Sequence, residues 1–352
     1  RWQSFKNDLP SVSVRDIRIQ PRADDLVIAT HGRGVYIMDD VRPVQELQRA
    51  VSAGSWLFAP RAAREWTLHS NDEGTYTNYA ADNPPYGVTV TFYQREPQKG
   101  NPALEILDSS GHVIRSISGT HKIGGKDVPY ITNKVGLNRY TWDFTVNGPV
   151  RWNGAPQEFL KGPTSGPGVV PGKYAVRMRL SGRTYVEHFA VEPDPRSRFT
   201  MAEYRASFDE AMRQMARLSQ LDTILNTLDD LKKALADASD AAKKANNSAL
   251  AGKLADAETA RATLFDSLAA NVRGEGTEDE TKLHEDVTGA YFTAQGLITP
   301  AAMDFIERVD VTYRAGIARY NAFVTGVLPG VNAALRGAGQ KALPVAQPAS
   351  AK

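Results

Sequence analysis

The pattern of hydrophobic and polar positions changes character near residue 200. Before that point, apolar residues alternate with polar ones over short runs such as 88–92, a period of two that is typical of half-buried strands. After it, from Tyr204 to Leu235, they recur every three or four positions, as on one face of an amphipathic helix. The sequence therefore predicts a multidomain chain with a β part followed by an α part.

The first forty residues predict three short antiparallel strands. The runs 17–20, 26–30 and 35–38 are separated by turns, the second of which is His31-Gly32-Arg33-Gly34. Such a meander is the unit of a β-propeller blade. Three strands whose two faces are both apolar do not make a stable domain alone, so we expect neighbouring sheets.

The same segment resembles a known family. The residues concerned are Trp2-Gln-Ser-Phe5, the motif Val-Arg-Asp-Ile at 14–17, and the run from Asp25 to Asp40. They resemble the last blade of sortilin-like, or BNR (Asp-box) repeat, β-propellers of a glycosyl hydrolase-like group of bacterial proteins, described as sialidase-like or xyloglucanase-like. The match covers the segment 1–40 and departs from the family in having no Ser-x-Asp-x-Gly Asp-box.

The resemblance implies that 1–40 is an incomplete terminal blade whose fourth strand is missing after Asp40. It implies that the partners are upstream propeller blades of a parent chain, and that the protein is exported to the periplasm or the outside of the cell. In the resembling enzymes the catalytic carboxylates lie in earlier blades, so no catalytic residue is carried over. Consistent with that, Asp39 and Asp40 are adjacent and would point to opposite faces of a strand.

Two interpretations remain open for His31 and Arg33. They belong either to a purely structural hairpin turn or to a propeller rim where they contact an anionic or sugar ligand. The motif is not a phosphate loop, because no helix follows whose N-terminus could receive an anion.

The middle of the chain predicts an immunoglobulin- or fibronectin-like β-sandwich over 76–193, after a linker over 41–75. The start of that linker, 41–50, is either a short irregular connection or a helix. Roughly seven short strands alternate with turn residues in the sandwich segment. Trp142 is expected in its core. Tyr130 and Trp152 are candidates for glycan contact, since flat aromatic faces stack on sugar rings; the alternative for Trp152 is that it pins a long loop.

The C-terminal part predicts an antiparallel helical bundle over 199–340 and a disordered tail over 341–352. Thr200 and Glu203 form a capping box at the start of a long helix, and Thr299-Pro300 starts the last one. A di-metal bundle needs Glu-x-x-His spacing, which His284-Glu285 does not give. The charged run 275–286 is therefore predicted to be a solvated turn and helix face.

Composition narrows the function classes. The chain has 42 Lys and Arg against 40 Asp and Glu, a net charge of +2, which argues against a polycationic nucleic-acid binder. The absence of Cys excludes thiol nucleophiles, disulfide scaffolds and iron–sulfur ligation. No apolar run approaches the roughly 18 residues of a membrane span. A chain that opens at Arg1 without a signal peptide is expected to be a fragment.

These observations predict a non-catalytic C-terminal portion of an exported propeller protein resembling glycoside hydrolases. Its sandwich and bundle would be accessory, bracing or glycan- or partner-binding modules, with a polysaccharide or an envelope protein as the outside partner. The alternative is a sortilin-like protein-interaction module whose parent has no hydrolase activity. Neither interpretation requires a metal or a cofactor.

Overall fold

The computed structural model describes residues 9–66, 85–123, 126–155, 164–269, 282–296, 298–344 and 346–350. Strands occupy the first part of the chain and long helices the last, so the predicted β-then-α layout is confirmed. The strands are β1 (Val14–Gln20), β2 (Asp25–Thr30), β3 (Val35–Met38), β4 (Ser55–Leu57), β5 (Ala63–Glu65), β6 (Val88–Gln94), β7 (Leu104–Leu107), β8 (Val113–Ile117), β9 (Thr120–Ile123), β10 (Lys126–Pro129), β11 (Gly136–Trp142), β12 (Thr145–Asn147), β13 (Ser165–Gly168), β14 (Gly172–Leu180) and β15 (Arg183–Pro193). The helices are α1 (Arg42–Gln45), α2 (Leu47–Ala53), α3 (Met201–Lys244), α4 (Ser248–Leu268), α5 (Leu283–Ala294), α6 (Pro300–Ala322) and α7 (Leu328–Gly337), with a π-helical segment Phe323–Val327 between the last two.

Residue contacts divide the chain into two compact units. The β unit contains Arg1–Phe144 and Pro171–Ser197, and the helical unit contains Thr145–Val170 and Arg198–Lys352. This division differs from the expected boundaries, because residues 145–170 lie within the predicted sandwich of 76–193 but belong to the helical unit. The reason is the attachment of Trp152 and its neighbours to α3, described below.

The predicted meander is present in the β unit. Strands β1, β2 and β3 form a three-stranded antiparallel sheet in that order. Residues 1–8, which carry Trp2 and Phe5 of the family resemblance, lie outside the described residues.

Two larger sheets share one core in the β unit. One has the strand order β11-β6-β4 and the other the order β5-β15-β14-β7-β8. Trp142 of β11 is fully buried, and its ring centroid lies 5.9 Å from that of Tyr174 on β14 and 5.9 Å from that of Phe189 on β15. The expected core position of Trp142 is therefore confirmed.

The predicted linker over 41–75 contains regular structure in its described part, 41–66. The alternative of a helix over 41–50 is confirmed, whereas the strands that follow it were not expected. Helices α1 and α2 occupy 42–53, β4 pairs antiparallel with β6, and β5 pairs parallel with β15. Gly54 ends α2 with φ +81°. Leu57 and Phe58 follow it and are 1% and 3% exposed, so burial of these apolar side chains draws the segment into the sheet.

The helical unit follows the predicted periodicity closely. Thr200 caps α3 through the predicted box with Glu203, and the helix ends at Lys244, just before Asn246 with φ +52°. The apolar stripes of α3, α4 and α6 face one common core. The buried leucines of α3 are Leu218, Leu221, Leu225, Leu228, Leu231 and Leu235.

The predicted disordered tail over 341–352 is wrong in its described part. Leu343 is 4% exposed, and its amide donates a hydrogen bond to Asn332 Oδ1 at 2.8 Å. The amide of Ala349 donates to Asn321 Oδ1 at 2.7 Å. One apolar anchor and two asparagine side chains therefore hold the tail against the helices.

Candidate functional site

The three-stranded sheet has exposed apolar side chains on both faces. Strand pairing places Ile17 and Ile19 on one face, the first face, and Val35 and Ile37 on the opposite one, the second face. Ile17 and Ile19 are 58% and 47% exposed, and Val35 and Ile37 are 61% and 64% exposed. The first face carries six large side chains that are apolar or aromatic: Ile17, Ile19, Leu26, Ile28, Tyr36 and Met38.

His31 and Arg33 lie in the turn between β2 and β3. Gly32 and Gly34 adopt positive φ values of +82° and +78°, which L side chains rarely adopt, and the Thr30 hydroxyl donates a hydrogen bond to the Gly34 carbonyl at 2.7 Å. Both candidate side chains are exposed. The geometry explains the turn, and ligand contact by His31 and Arg33 stays a prediction.

Tyr130 lies directly after β10 and is 48% exposed. Its ring centroid is 4.6 Å from that of His121 on β9, with 33° between the ring planes. The two rings therefore form a small aromatic surface, and glycan contact by Tyr130 stays a prediction.

Trp152 is not available to a surface ligand, so its interpretation as a glycan contact is wrong. The side chain is 2% exposed, and its indole nitrogen donates a hydrogen bond to Asp229 Oδ2 at 2.8 Å. Its ring lies edge-on to Phe265 and His284, at centroid distances of 5.6 and 5.7 Å. Trp152 instead pins its loop to the helices, which was the alternative.

A row of four polar residues on α3 holds this loop; we call it the polar ladder. Its members are Ser219, Asp222, Asn226 and Asp229, spaced by three or four residues and so placed on one helix face. The amide of Val150 donates to Ser219 Oγ at 3.2 Å, and the amide of Asn153 donates to Asn226 Oδ1 at 2.9 Å. The Asn226 side-chain amide donates to the Arg151 carbonyl at 2.9 Å.

Asp222 of the ladder forms a fully buried pair with His284. His284 Nε2 lies 2.7 Å from Asp222 Oδ1, and the two side chains are 1% and 0% exposed. Burial raises the pKa of Asp222, and the hydrogen bond to His284 acts against that rise. The prediction that 275–286 is a solvated face is therefore wrong at His284. This residue is buried together with neighbouring apolar residues of α5. Residues 275–281 lie outside the described residues.

The solvent-facing side of the five-stranded sheet carries a groove of about 400 Å³. Arg177 and Arg179 of β14 line it, with Glu105 of β7, Ser118 after β8, and Thr184 of β15. Arg177 Nε donates a hydrogen bond to Glu105 Oε2 at 2.7 Å, an interaction that raises the pKa of Arg177. Sequence reasoning missed this groove, because its residues come from four strands.

No hydrogen bond, ion pair or ring contact joins any two of the predicted site residues His31, Arg33, Tyr130 and Trp152 within the described parts of the chain. Across the same residues, no group of three or more His, Asp or Glu side chains could hold a metal ion. Among the helices that the structure describes, none has the length and apolarity to cross a membrane.

Comparison with known proteins gives no relative. No protein-family model matches the sequence, no curated protein matches it, and no solved structure matches the fold.

Proposed function

We propose that this chain is the non-catalytic C-terminal portion of an exported β-propeller protein resembling glycoside hydrolases. In this proposal the three-stranded sheet is the terminal blade. The two larger sheets form an immunoglobulin-like accessory module that binds glycan, and the helices form an antiparallel bundle with an accessory or bracing role.

The observation that carries the proposal is the exposure of apolar side chains on both faces of the three-stranded sheet. A sheet that packs on one neighbour alternates apolar and polar faces, whereas a sheet between two neighbours is apolar on both. Ile17 on the first face and Ile37 on the second are each more than half exposed. In a propeller, each blade lies between two neighbouring blades, which would cover both faces of this sheet.

The resemblance of residues 25–40 to the last blade of a sortilin-like propeller supports the same interpretation. The neighbouring blades would be the partner of this sheet. A sugar-polymer ligand for the β unit is supported by the exposed ring of Tyr130 beside β10 and by the groove beside Arg177 on the five-stranded sheet.

The test compares four threonine substitutions in two proteins. The changes Ile17→Thr, Ile19→Thr, Val35→Thr and Ile37→Thr keep β-branched side chains but remove the apolar surface. In the 352-residue chain we expect a large loss of fluorescence from a bound hydrophobic dye and an unchanged thermal unfolding midpoint. In the longer parent protein we expect a lower midpoint, because neighbouring blades would pack on these positions.

Val311→Thr is the matched control, since Val311 is 70% exposed on α6 and no packing is proposed for it. It should change neither dye binding nor stability. A parent whose unfolding is unaffected by the four substitutions would contradict the propeller proposal. Reducing-end release from xyloglucan or mucin by the purified 352-residue chain would contradict its non-catalytic role.

A further inference from the structure

The groove on the five-stranded sheet is built in two adjacent rows. Strand pairing aligns Ser116, Glu105, Arg177 and Val186 across four strands. In the next row, Arg179 pairs with Thr184. Because side chains two residues apart lie on one face, Arg177 and Arg179 point the same way, about 7 Å apart along β14.

The two arginines differ in their partners. Arg177 is held by Glu105 across the strand, at 2.7 Å. Arg179 is exposed and makes no ion pair or side-chain hydrogen bond with any residue that the structure describes. Ala103, two residues before Glu105, also lines the groove, and its methyl side chain cannot pair with Arg179 as Glu105 pairs with Arg177. Arg177 is thus already paired with a carboxylate of this chain, whereas the guanidinium of Arg179 remains available to a carboxylate from outside.

We infer that this groove binds the carboxylate groups of an acidic glycan, a polymer that contains uronic acid. The inference rests on the proposed glycan-binding role of the β unit. A guanidinium binds a planar carboxylate through two parallel hydrogen bonds. The Ser118 and Thr184 hydroxyls in the same groove can each donate to or accept from sugar hydroxyls.

The groove fits this ligand better than a nucleic acid. Its lining contains no aromatic side chain on which a base could stack. The net charge of +2 is small for a protein that follows a phosphodiester backbone. The exposed guanidinium of Arg179, the Glu105-paired guanidinium of Arg177 and the flanking hydroxyls suit a ligand that carries both carboxylates and many hydroxyls.

The test measures binding of the purified chain to polygalacturonate and hyaluronate by affinity electrophoresis and calorimetry. Neutral xyloglucan, sulfated dextran and poly-glutamate are the comparison ligands. We expect binding to both uronate polymers and not to xyloglucan, with about tenfold weaker binding for Arg179→Gln, since a charge-assisted hydrogen-bond pair is lost. Arg183→Gln is the matched control, because Arg183 pairs with Leu180 and faces the opposite side of the sheet.

A second variant tests the geometry in the opposite direction. Glu105→Gln removes the internal carboxylate from Arg177, so binding of uronate polymers should become about threefold tighter. The inference is overturned if no uronate polymer binds, if Arg179→Gln and Arg183→Gln weaken binding equally, or if sulfated dextran or poly-glutamate binds while the uronates do not. None of these outcomes contradicts the propeller proposal, because that proposal is tested separately, by the threonine substitutions in the three-stranded sheet.

Discussion

The helical unit and the three-stranded sheet obey the same rule of hydrophobic periodicity with opposite results. In α3 the predicted apolar stripe is covered, and Leu225 and Leu228 are fully buried. In the sheet the predicted apolar positions are present, yet Ile17 and Ile37 are 58% and 64% exposed. Periodicity therefore identifies which apolar side chains need to be buried, but it does not say whether residues of this same chain bury them.

The largest expected loss of stability, which sharpens this comparison, is at the buried Asp222–His284 pair of the helical unit. His284→Ala leaves the Asp222 carboxylate buried without its partner, so we expect the free energy of unfolding to fall by about 3–5 kcal/mol at pH 8. The loss should be smaller at pH 4, because protonation neutralises the unpaired carboxyl group. Denaturant unfolding followed by circular dichroism at both pH values measures it.

The control for this prediction is the double variant Asp222→Leu with His284→Leu. It replaces the pair by apolar side chains in an apolar core, so it should recover a large part of the lost stability. A single His284→Ala variant as stable as the unmodified chain at pH 8 would show that the pair makes no net contribution.

The next effect compares one apolar truncation in each region. Leu225→Ala should lower the free energy of unfolding by about 3 kcal/mol, because it leaves a cavity in a fully buried position. Ile37→Ala should cost less than about 1 kcal/mol in the 352-residue chain, because its side chain is mostly exposed. Equal losses in denaturant unfolding would mean that the sheet face is covered in solution.

The smallest effect concerns Glu65 in the β unit. Burial raises its pKa from 4.5 to about 7, so the folded chain keeps a proton that the unfolded chain has already released between those pH values. The contribution of Glu65 to stability therefore falls as the pH rises from about 4.5 to 7. Glu65→Gln should remove this dependence and raise stability at pH 8 by about 1–2 kcal/mol after allowance for partial exposure.

Thermal unfolding of the unmodified chain and of Glu65→Gln, each at pH 5 and pH 8, measures this pH dependence. Glu96→Gln is the control, because Glu96 is exposed on the same unit. If Glu65→Gln and Glu96→Gln give the same pH dependence, Glu65 does not hold a proton at pH 6.

Local features of the fold could be predicted from the sequence. The capping box at Thr200, the end of α3 before Asn246 and the hairpin of β14 and β15 all depend on residues a few positions apart. Their physical causes, hydrogen-bonded caps, turn residues and periodic burial, are visible within a short window.

The contacts that join distant segments could not be predicted in this way. The spacing of Ser219, Asp222, Asn226 and Asp229 places them on one face of α3, but nothing local indicates that the loop around Trp152 occupies that face. The burial of His284 depends on the same long-range contact. The groove beside Arg179 depends on the register of four strands, which separate local patterns do not specify.

The placement of residues 145–170 in the helical unit has a consequence for how this protein can be divided. The chain leaves the β unit after Phe144, returns to it at Pro171 and leaves it again after Ser197. Asp229 receives its hydrogen bond from Trp152, and the Tyr291 hydroxyl donates to the Ser165 carbonyl at 3.1 Å. A protease cut or an engineered truncation near residue 198 would therefore yield a helical fragment that lacks residues 145–170 and leaves the polar ladder on α3 uncovered.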